Sequence, residues 1–134
     1  MRVSKEIDFG AAHKLLNYAG KCSNLHGHTW TAIFTFEVDV NSLDQSGISV
    51  DFSQLKKILE EIVPDHADAN MWILSHLASC YGESPSAENI ALVLARRAID
   101  IALTVGGALA FYSVRLYESK TSFVEVFFED VKYN

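Results

Sequence analysis

Three histidines and a cysteine in the first part of the chain have the spacing of a metal-dependent active site. They are His13, Cys22, His26 and His28, and only Gly27 separates His26 from His28. Alternate residues of a β-strand point to the same side, so His26 and His28 would project together from an extended backbone. A third imidazole, from His13 on a neighbouring strand, would leave one coordination position open, as in catalytic zinc sites. The pattern therefore predicts a zinc ion held by three histidines.

The alternation of apolar residues predicts strands that end at these histidines. The even positions of 30–38 are all apolar, and Ile33 is the only apolar residue at the odd positions between them. The odd positions of 3–11 lead to His13 in the same way, although Lys5 interrupts them. Both apolar faces therefore end in histidine, which favours two inward-facing strands that meet at a shared site.

Other interpretations of the histidines remain open from spacing alone. A His-x-His pair is also found on strands whose histidines are buried and hydrogen-bonded or lie at the surface. His66 and His76 are further candidates for the third ligand.

Length and composition predict one domain over residues 1–134, because the chain is 134 residues long and 49% hydrophobic. The formal net charge of -6 disfavours binding to nucleic acid or to an anionic membrane. The start of the chain lacks the apolar core of a signal peptide, and charged residues break the long apolar stretch at 91–109, so we expect a cytoplasmic protein. Two cysteines are too few for a disulfide framework, and Cys80 is interpreted as structural.

The remaining elements follow from periodicity and end signals. Asp51 is positioned to cap a helix that continues until Pro64, and a second helix begins near 84–86 and ends at the glycines 106–107. The segments 111–118 and 122–129 alternate and predict a hairpin. The order indicates an α+β fold with a four-stranded antiparallel sheet and both helices on one face. Such a sheet has two open edges, which a second copy of the chain could cover.

Six short motifs occur in a fixed order along nearly the whole chain. They are Phe9-x-Ala-Ala-His13, Cys22-x-x-x-His26-Gly27-His28, Val50-Asp51-Phe52-x-x-Leu55-Lys56, Asp65-His66-x-x-x-Asn70, Pro85-Ser86-Ala87-Glu88-Asn89 and Val114-x-x-x-Glu118. This set resembles the 6-pyruvoyl-tetrahydropterin synthase superfamily. Because three residues separate Cys22 from the His-Gly-His run, the chain looks most like the bacterial 6-carboxy-5,6,7,8-tetrahydropterin synthases of queuosine biosynthesis.

The resemblance implies a tunnelling fold that assembles through its strands into a barrel, as a homohexamer of two trimers. It implies a zinc-dependent lyase that converts 7,8-dihydroneopterin triphosphate to 6-carboxy-5,6,7,8-tetrahydropterin and releases acetaldehyde and triphosphate. Sister enzymes form 6-pyruvoyltetrahydropterin instead. A non-catalytic pterin- or purine-binding protein of the same fold is a further alternative.

The resemblance also implies roles for individual residues. His13, His26 and His28 align with the zinc ligands. Cys22, Asp65 and His66 align with the proton-transferring groups, which are assembled across a subunit boundary. A thiol beside a cation is more readily ionised, so Cys22 could act as a base near neutral pH.

Substrate contacts are implied at two further places. Glu118 aligns with the carboxylate that anchors the pterin ring. It also continues the even-numbered face of Tyr112, Val114 and Leu116, which is predicted to point toward the interior. The helix-start residues align with the same pterin pocket; they are Ser86, Ala87 and Glu88.

Simpler explanations exist for some of these residues. Cys22 could be a loop thiol, and Asp65 with His66 after a proline could form a polar turn. Lys14 and Lys21 are candidates for binding the triphosphate, but lysines are usually solvated surface residues.

Overall fold

Two long antiparallel strands form the centre of the fold. The computed structural model describes residues 1–15, 26–64, 67–68, 84–105 and 109–131. Strand β1 is Arg2–His13 and strand β2 is His26–Val38. Their register runs without interruption from Arg2 opposite Glu37 to His13 opposite His26. A bulge near Gly10, which could have shifted the alternation, is therefore absent from this pairing.

Inward residues of β1 and β2 follow the predicted parity. Ile7, Phe9 and Ala11 are buried on β1, and the even positions of 30–38 are buried on β2. The strands therefore place the histidine-bearing ends side by side at one end of the buried face.

The hairpin at the end of the chain is confirmed, but one of its faces differs from the prediction. Strand β4 is Leu109–Tyr117 and strand β5 is Phe123–Phe127. The β2–β4 register shifts so that Thr35 faces Ser113 while Phe36 faces Phe111. Tyr112 is the extra residue of this bulge.

The bulge moves Tyr112 off the buried face on which parity had placed it. The Arg2 guanidinium carbon lies 3.7 Å from the centroid of the Tyr112 ring. Phe111 occupies the buried position instead, with 7% of its surface exposed. Val114 and Leu116, which lie beyond the bulge, are fully buried as predicted.

Two helices cover the buried face of the sheet. Helix α1 is Phe52–Glu60, and the Asp51 side chain accepts hydrogen bonds from the backbone N–H groups of Ser53 and Gln54. This confirms Asp51 as the N-cap. Leu55 and Leu59 of α1 pack into one core with the sheet, whereas Phe52 stays 54% exposed.

Helix α2 is Ala87–Val105. Its first turn is held by the Ser86 hydroxyl, which accepts a hydrogen bond of 3.1 Å from the Asn89 N–H. The buried side of α2 joins the same core; it consists of Ile90, Ala91, Val93, Leu94, Ala95, Ala98, Ile99 and Ala102.

A short fifth strand extends the predicted sheet. Strand β3, Ala67–Asp68, pairs in parallel with Ala11 and Ala12 of β1. The strand order is β3-β1-β2-β4-β5. As predicted, the four longer strands pair in an antiparallel manner and two helices pack against the sheet. None of the helices in the described part of the chain has the length and apolar character needed to cross a bilayer.

Candidate active site

His13 lies at the inner end of β1 and is held by a backbone carbonyl. Its side chain is only 1% exposed, and its Nδ1 lies 2.8 Å from the carbonyl oxygen of Pro85. A carbonyl can only accept, so Nδ1 carries the proton and the lone pair is on Nε2. A hydrogen bond of this kind on the second nitrogen is the usual arrangement for a histidine that binds a metal.

His28 and Glu118 meet beside His13. The Nε2 of His28 lies 3.2 Å from Oε1 of Glu118, and both side chains are about one-quarter to one-third exposed. One ligand atom from each of His13, His28 and Glu118 lies within 4.8 Å of the others. Strands β1 and β2 and the end of β4 thus bring two imidazoles and one carboxylate together.

Trp30 forms the floor beneath the two imidazoles. The indole is fully buried, and its ring centroid lies 5.0 Å from that of His13 and 5.4 Å from that of His28. Its Nε1–H donates a hydrogen bond of 3.1 Å to the carbonyl oxygen of Ala11. This contact fixes the ring against β1, in contact with both histidines.

For His26, the predicted third zinc ligand, the structure describes the backbone and not the side chain. His26 is paired with His13 in the β1–β2 register, and its side chain lies outside the described part of the structure. Cys22, Asp65 and His66 also lie outside the described residues, as do Lys21 and Cys80. Their roles stay predictions.

The residues at the start of α2 directly follow Pro85, whose carbonyl oxygen contacts His13. Ser86 uses its hydroxyl to cap α2, and Asn89 donates from its side-chain amide to the Ser84 carbonyl at 2.8 Å. Ala87 is the first residue of α2 and Glu88 is exposed in the first turn. The capping bonds keep the Pro85 carbonyl directed toward His13.

The Pro85 carbonyl is the functional group that the sequence argument missed. A backbone oxygen leaves no signature in residue type, and only the contact between α2 and β1 reveals it. Glu118 was predicted as a pterin contact, and its place beside His28 adds a carboxylate to the candidate metal ligands.

The residues of the site fit a divalent metal ion. Imidazole nitrogens and a carboxylate oxygen are ordinary zinc ligands at about 2.0–2.2 Å. Two such ligands on a tetrahedral ion are about 3.3 Å apart, close to the 3.2 Å between His28 and Glu118. The group of His13, His28 and Glu118 could therefore bind a metal.

Comparisons with known proteins agree with this architecture. A 6-carboxy-5,6,7,8-tetrahydropterin synthase of Haemophilus influenzae is 33% identical over 141 residues, covering 92% of this chain and 96% of that protein. The protein of the same name from Synechocystis is 32% identical, covering 93% and 92%. The structure of Caenorhabditis elegans 6-pyruvoyl tetrahydropterin synthase superposes with a TM-score of 0.69 at 22% identity, covering 95% and 94%.

The solved structure supports the tunnelling fold, and the sequence profile described as 6-pyruvoyl tetrahydropterin synthase matches residues 2–129. This match takes in both central strands, both helices and the final hairpin. The chain belongs to the 6-pyruvoyl tetrahydropterin synthase family.

Proposed function

We propose that this protein is a zinc-dependent lyase that forms 6-carboxy-5,6,7,8-tetrahydropterin. The substrate is 7,8-dihydroneopterin triphosphate, and the reaction releases acetaldehyde and triphosphate. The observation that carries the proposal is the convergence of His13, His28 and Glu118 in a chain whose relatives bear this enzyme's name. The pathway served is queuosine biosynthesis, and the enzyme works in the cytoplasm.

The metal site is assigned to His13, His26 and His28. A bound zinc ion would act as a Lewis acid on the hydroxyl oxygens of the substrate side chain and make the attached C–H bonds more acidic. The hydrogen bond to the Pro85 carbonyl keeps His13 in the tautomer that can bind a metal through Nε2. The buried indole of Trp30 provides an apolar surface beside the histidines, and electrostatic interactions are stronger in such a low-dielectric environment.

Proton transfer is assigned to Cys22, Asp65 and His66. Cys22 serves as the base at a carbon-bound proton, since a nearby cation favours the thiolate. Asp65 and His66 form the second proton-transferring group, with the carboxylate stabilising the protonated imidazole. The helix-start residues Ser86, Ala87 and Glu88 border the pterin pocket.

Assembly into a homohexamer of two trimers is proposed because the sheet ends in open strands. Among the described residues, β5 pairs only with β4, and β3 covers only two residues of β1. Natural sheets usually cover such edges, and further copies of the chain would do so here.

The product of the reaction tests the proposed function. Zinc-loaded protein incubated with 7,8-dihydroneopterin triphosphate is expected to release acetaldehyde in equal amount to a 6-carboxy pterin, measured by chromatography. A 6-pyruvoyl product without acetaldehyde would instead identify the sister activity. Tight pterin binding without turnover would favour a non-catalytic binding protein.

The Cys22→Ala variant serves as the low-activity control in this assay. Loss of a base is expected to lower the turnover rate by about 10²–10⁴-fold. Zinc binding should be unchanged, because the thiol is not among the proposed ligands. Full turnover by Cys22→Ala would refute the role of the thiol and leave the assignment of the reaction intact.

A further inference from the structure

We propose that Glu118 is a direct ligand of the metal ion when no substrate is bound. This inference rests on the proposed function, because it concerns the same metal site. It differs from the pterin-anchoring role that the family resemblance implies for this carboxylate. The substrate-free site would then be closed by a protein oxygen.

The position of Glu118 supports metal ligation. Its backbone N–H donates to the Ser122 carbonyl at 3.1 Å, which closes the turn between β4 and β5 and fixes the Cα. From there the side chain reaches back over the end of β2 to His28. The carboxylate is therefore held at the site by the hairpin and does not depend on a mobile loop.

The distance between Glu118 and His28 suits two ligands of one ion. The separation of 3.2 Å is close to the edge of a tetrahedral zinc site, about 3.3 Å. His13 completes the group, with each of the three ligand atoms within 4.8 Å of the others. The Nε2 lone pair of His13 is fixed by the Pro85 hydrogen bond, so both imidazoles and the carboxylate can donate to one centre.

Charge also favours this arrangement. The Glu118 side chain is 31% exposed and lies beside His28 and His13. A partly buried carboxylate is stabilised by a cation within a few ångströms. A divalent ion between the imidazoles would provide this charge.

Ligation by Glu118 has a consequence for substrate entry. With three histidines bound, a fourth protein ligand fills the position that a hydroxyl oxygen of the substrate must occupy. Substrate binding therefore requires the carboxylate to leave the ion, and the released group is then free to accept hydrogen bonds from the pterin ring. A single residue would link pterin recognition to opening of the metal site.

Metal affinity tests the inference without measuring turnover. Metal-free protein is titrated with Zn²⁺ in competition with a chromophoric chelator, and the Co²⁺-loaded protein is examined by visible absorption. Glu118→Gln, which keeps the shape and removes the charge, is expected to raise the Zn²⁺ dissociation constant at least about tenfold. The Co²⁺ absorption bands should shift, because an oxygen ligand has been lost.

Glu6→Gln is the matched control, since Glu6 is an exposed carboxylate on β1. It should bind Zn²⁺ as the unmodified protein does, and thermal unfolding without metal should be similar for all three proteins. A Zn²⁺ affinity and Co²⁺ spectrum unchanged in Glu118→Gln would overturn the inference, while acetaldehyde release would still uphold the proposed function. Failure of the unmodified protein to bind Zn²⁺ would contradict both.

Discussion

Replacing His28 with alanine is expected to abolish stoichiometric zinc binding and the lyase activity with it. Even partners that only orient a ligand cost about 10–100-fold in metal affinity when removed, so loss of a ligand should cost at least about 100-fold. The side chain is only partly buried at the end of β2, so the fold should persist. Zinc content of the purified protein and acetaldehyde release measure the two effects.

Thermal unfolding gives an independent readout of the same change. Zinc at about 100 times its dissociation constant stabilises the native state by about 2.7 kcal/mol. For a chain of this length that corresponds to a rise in Tm on the order of 10 °C. His28→Ala should lose this rise, whereas Thr29→Ala, on the exposed side of the same strand, should keep it. An equal rise in Tm for both variants would exclude His28 as a ligand.

Replacing Trp30 with alanine is expected to have the largest effect on stability. The indole is fully buried, stacks on Phe9 with ring centroids 6.2 Å apart, and supports both His13 and His28. Removing so large a buried side chain typically costs about 3–5 kcal/mol. Urea unfolding followed by circular dichroism measures this loss in the metal-free protein.

Trp30→Phe is a milder replacement at the same position. It keeps an aromatic ring but removes the donor to the Ala11 carbonyl and part of the buried volume, so the expected loss is about 1–3 kcal/mol. Zinc binding should survive in Trp30→Phe and weaken in Trp30→Ala, because the histidines lose their support. A cost below about 1 kcal/mol for Trp30→Ala would contradict the role of the indole as the floor of the site.

The central strands could be predicted because their signal is local. In β1 and β2 every second residue is apolar apart from Lys5, and each strand carries histidine at one end, so parity alone indicates the buried face. The N-cap role of Asp51 could be predicted equally well, because a capping side chain accepts hydrogen bonds from residues two and three positions further along the chain. These features depend on neighbours in sequence, which can be read directly.

Features that depend on pairing between distant segments were missed. The bulge at Tyr112 arises from the match between β2 and β4, and strict alternation within 111–118 placed Tyr112 on the wrong face. The two-residue strand β3 carries too short a pattern to be detected, and its partner is Ala11–Ala12. Neither feature can be derived from one segment in isolation.

The site was predicted in part for the same reason. His13 and His28 lie at the ends of alternating strands, and Glu118 continues the inward face that Val114 and Leu116 define beyond the bulge. The approach of His13 to His28 follows from these patterns. The contact between Glu118 and His28 and the hydrogen bond from His13 to Pro85 depend on distances that periodicity does not contain.

The hydrogen bond between His13 and Pro85 joins residues 72 positions apart and has a consequence for how the chain folds. Contacts of such long range are costly in loop-closure entropy and form slowly. Pairing of β1 with β2 can bring His13 and His28 together early, but the Pro85 carbonyl reaches His13 only after the second helix docks. We therefore expect competence to bind metal to develop late in folding, and a bound ion would preferentially stabilise chains whose two halves have already joined.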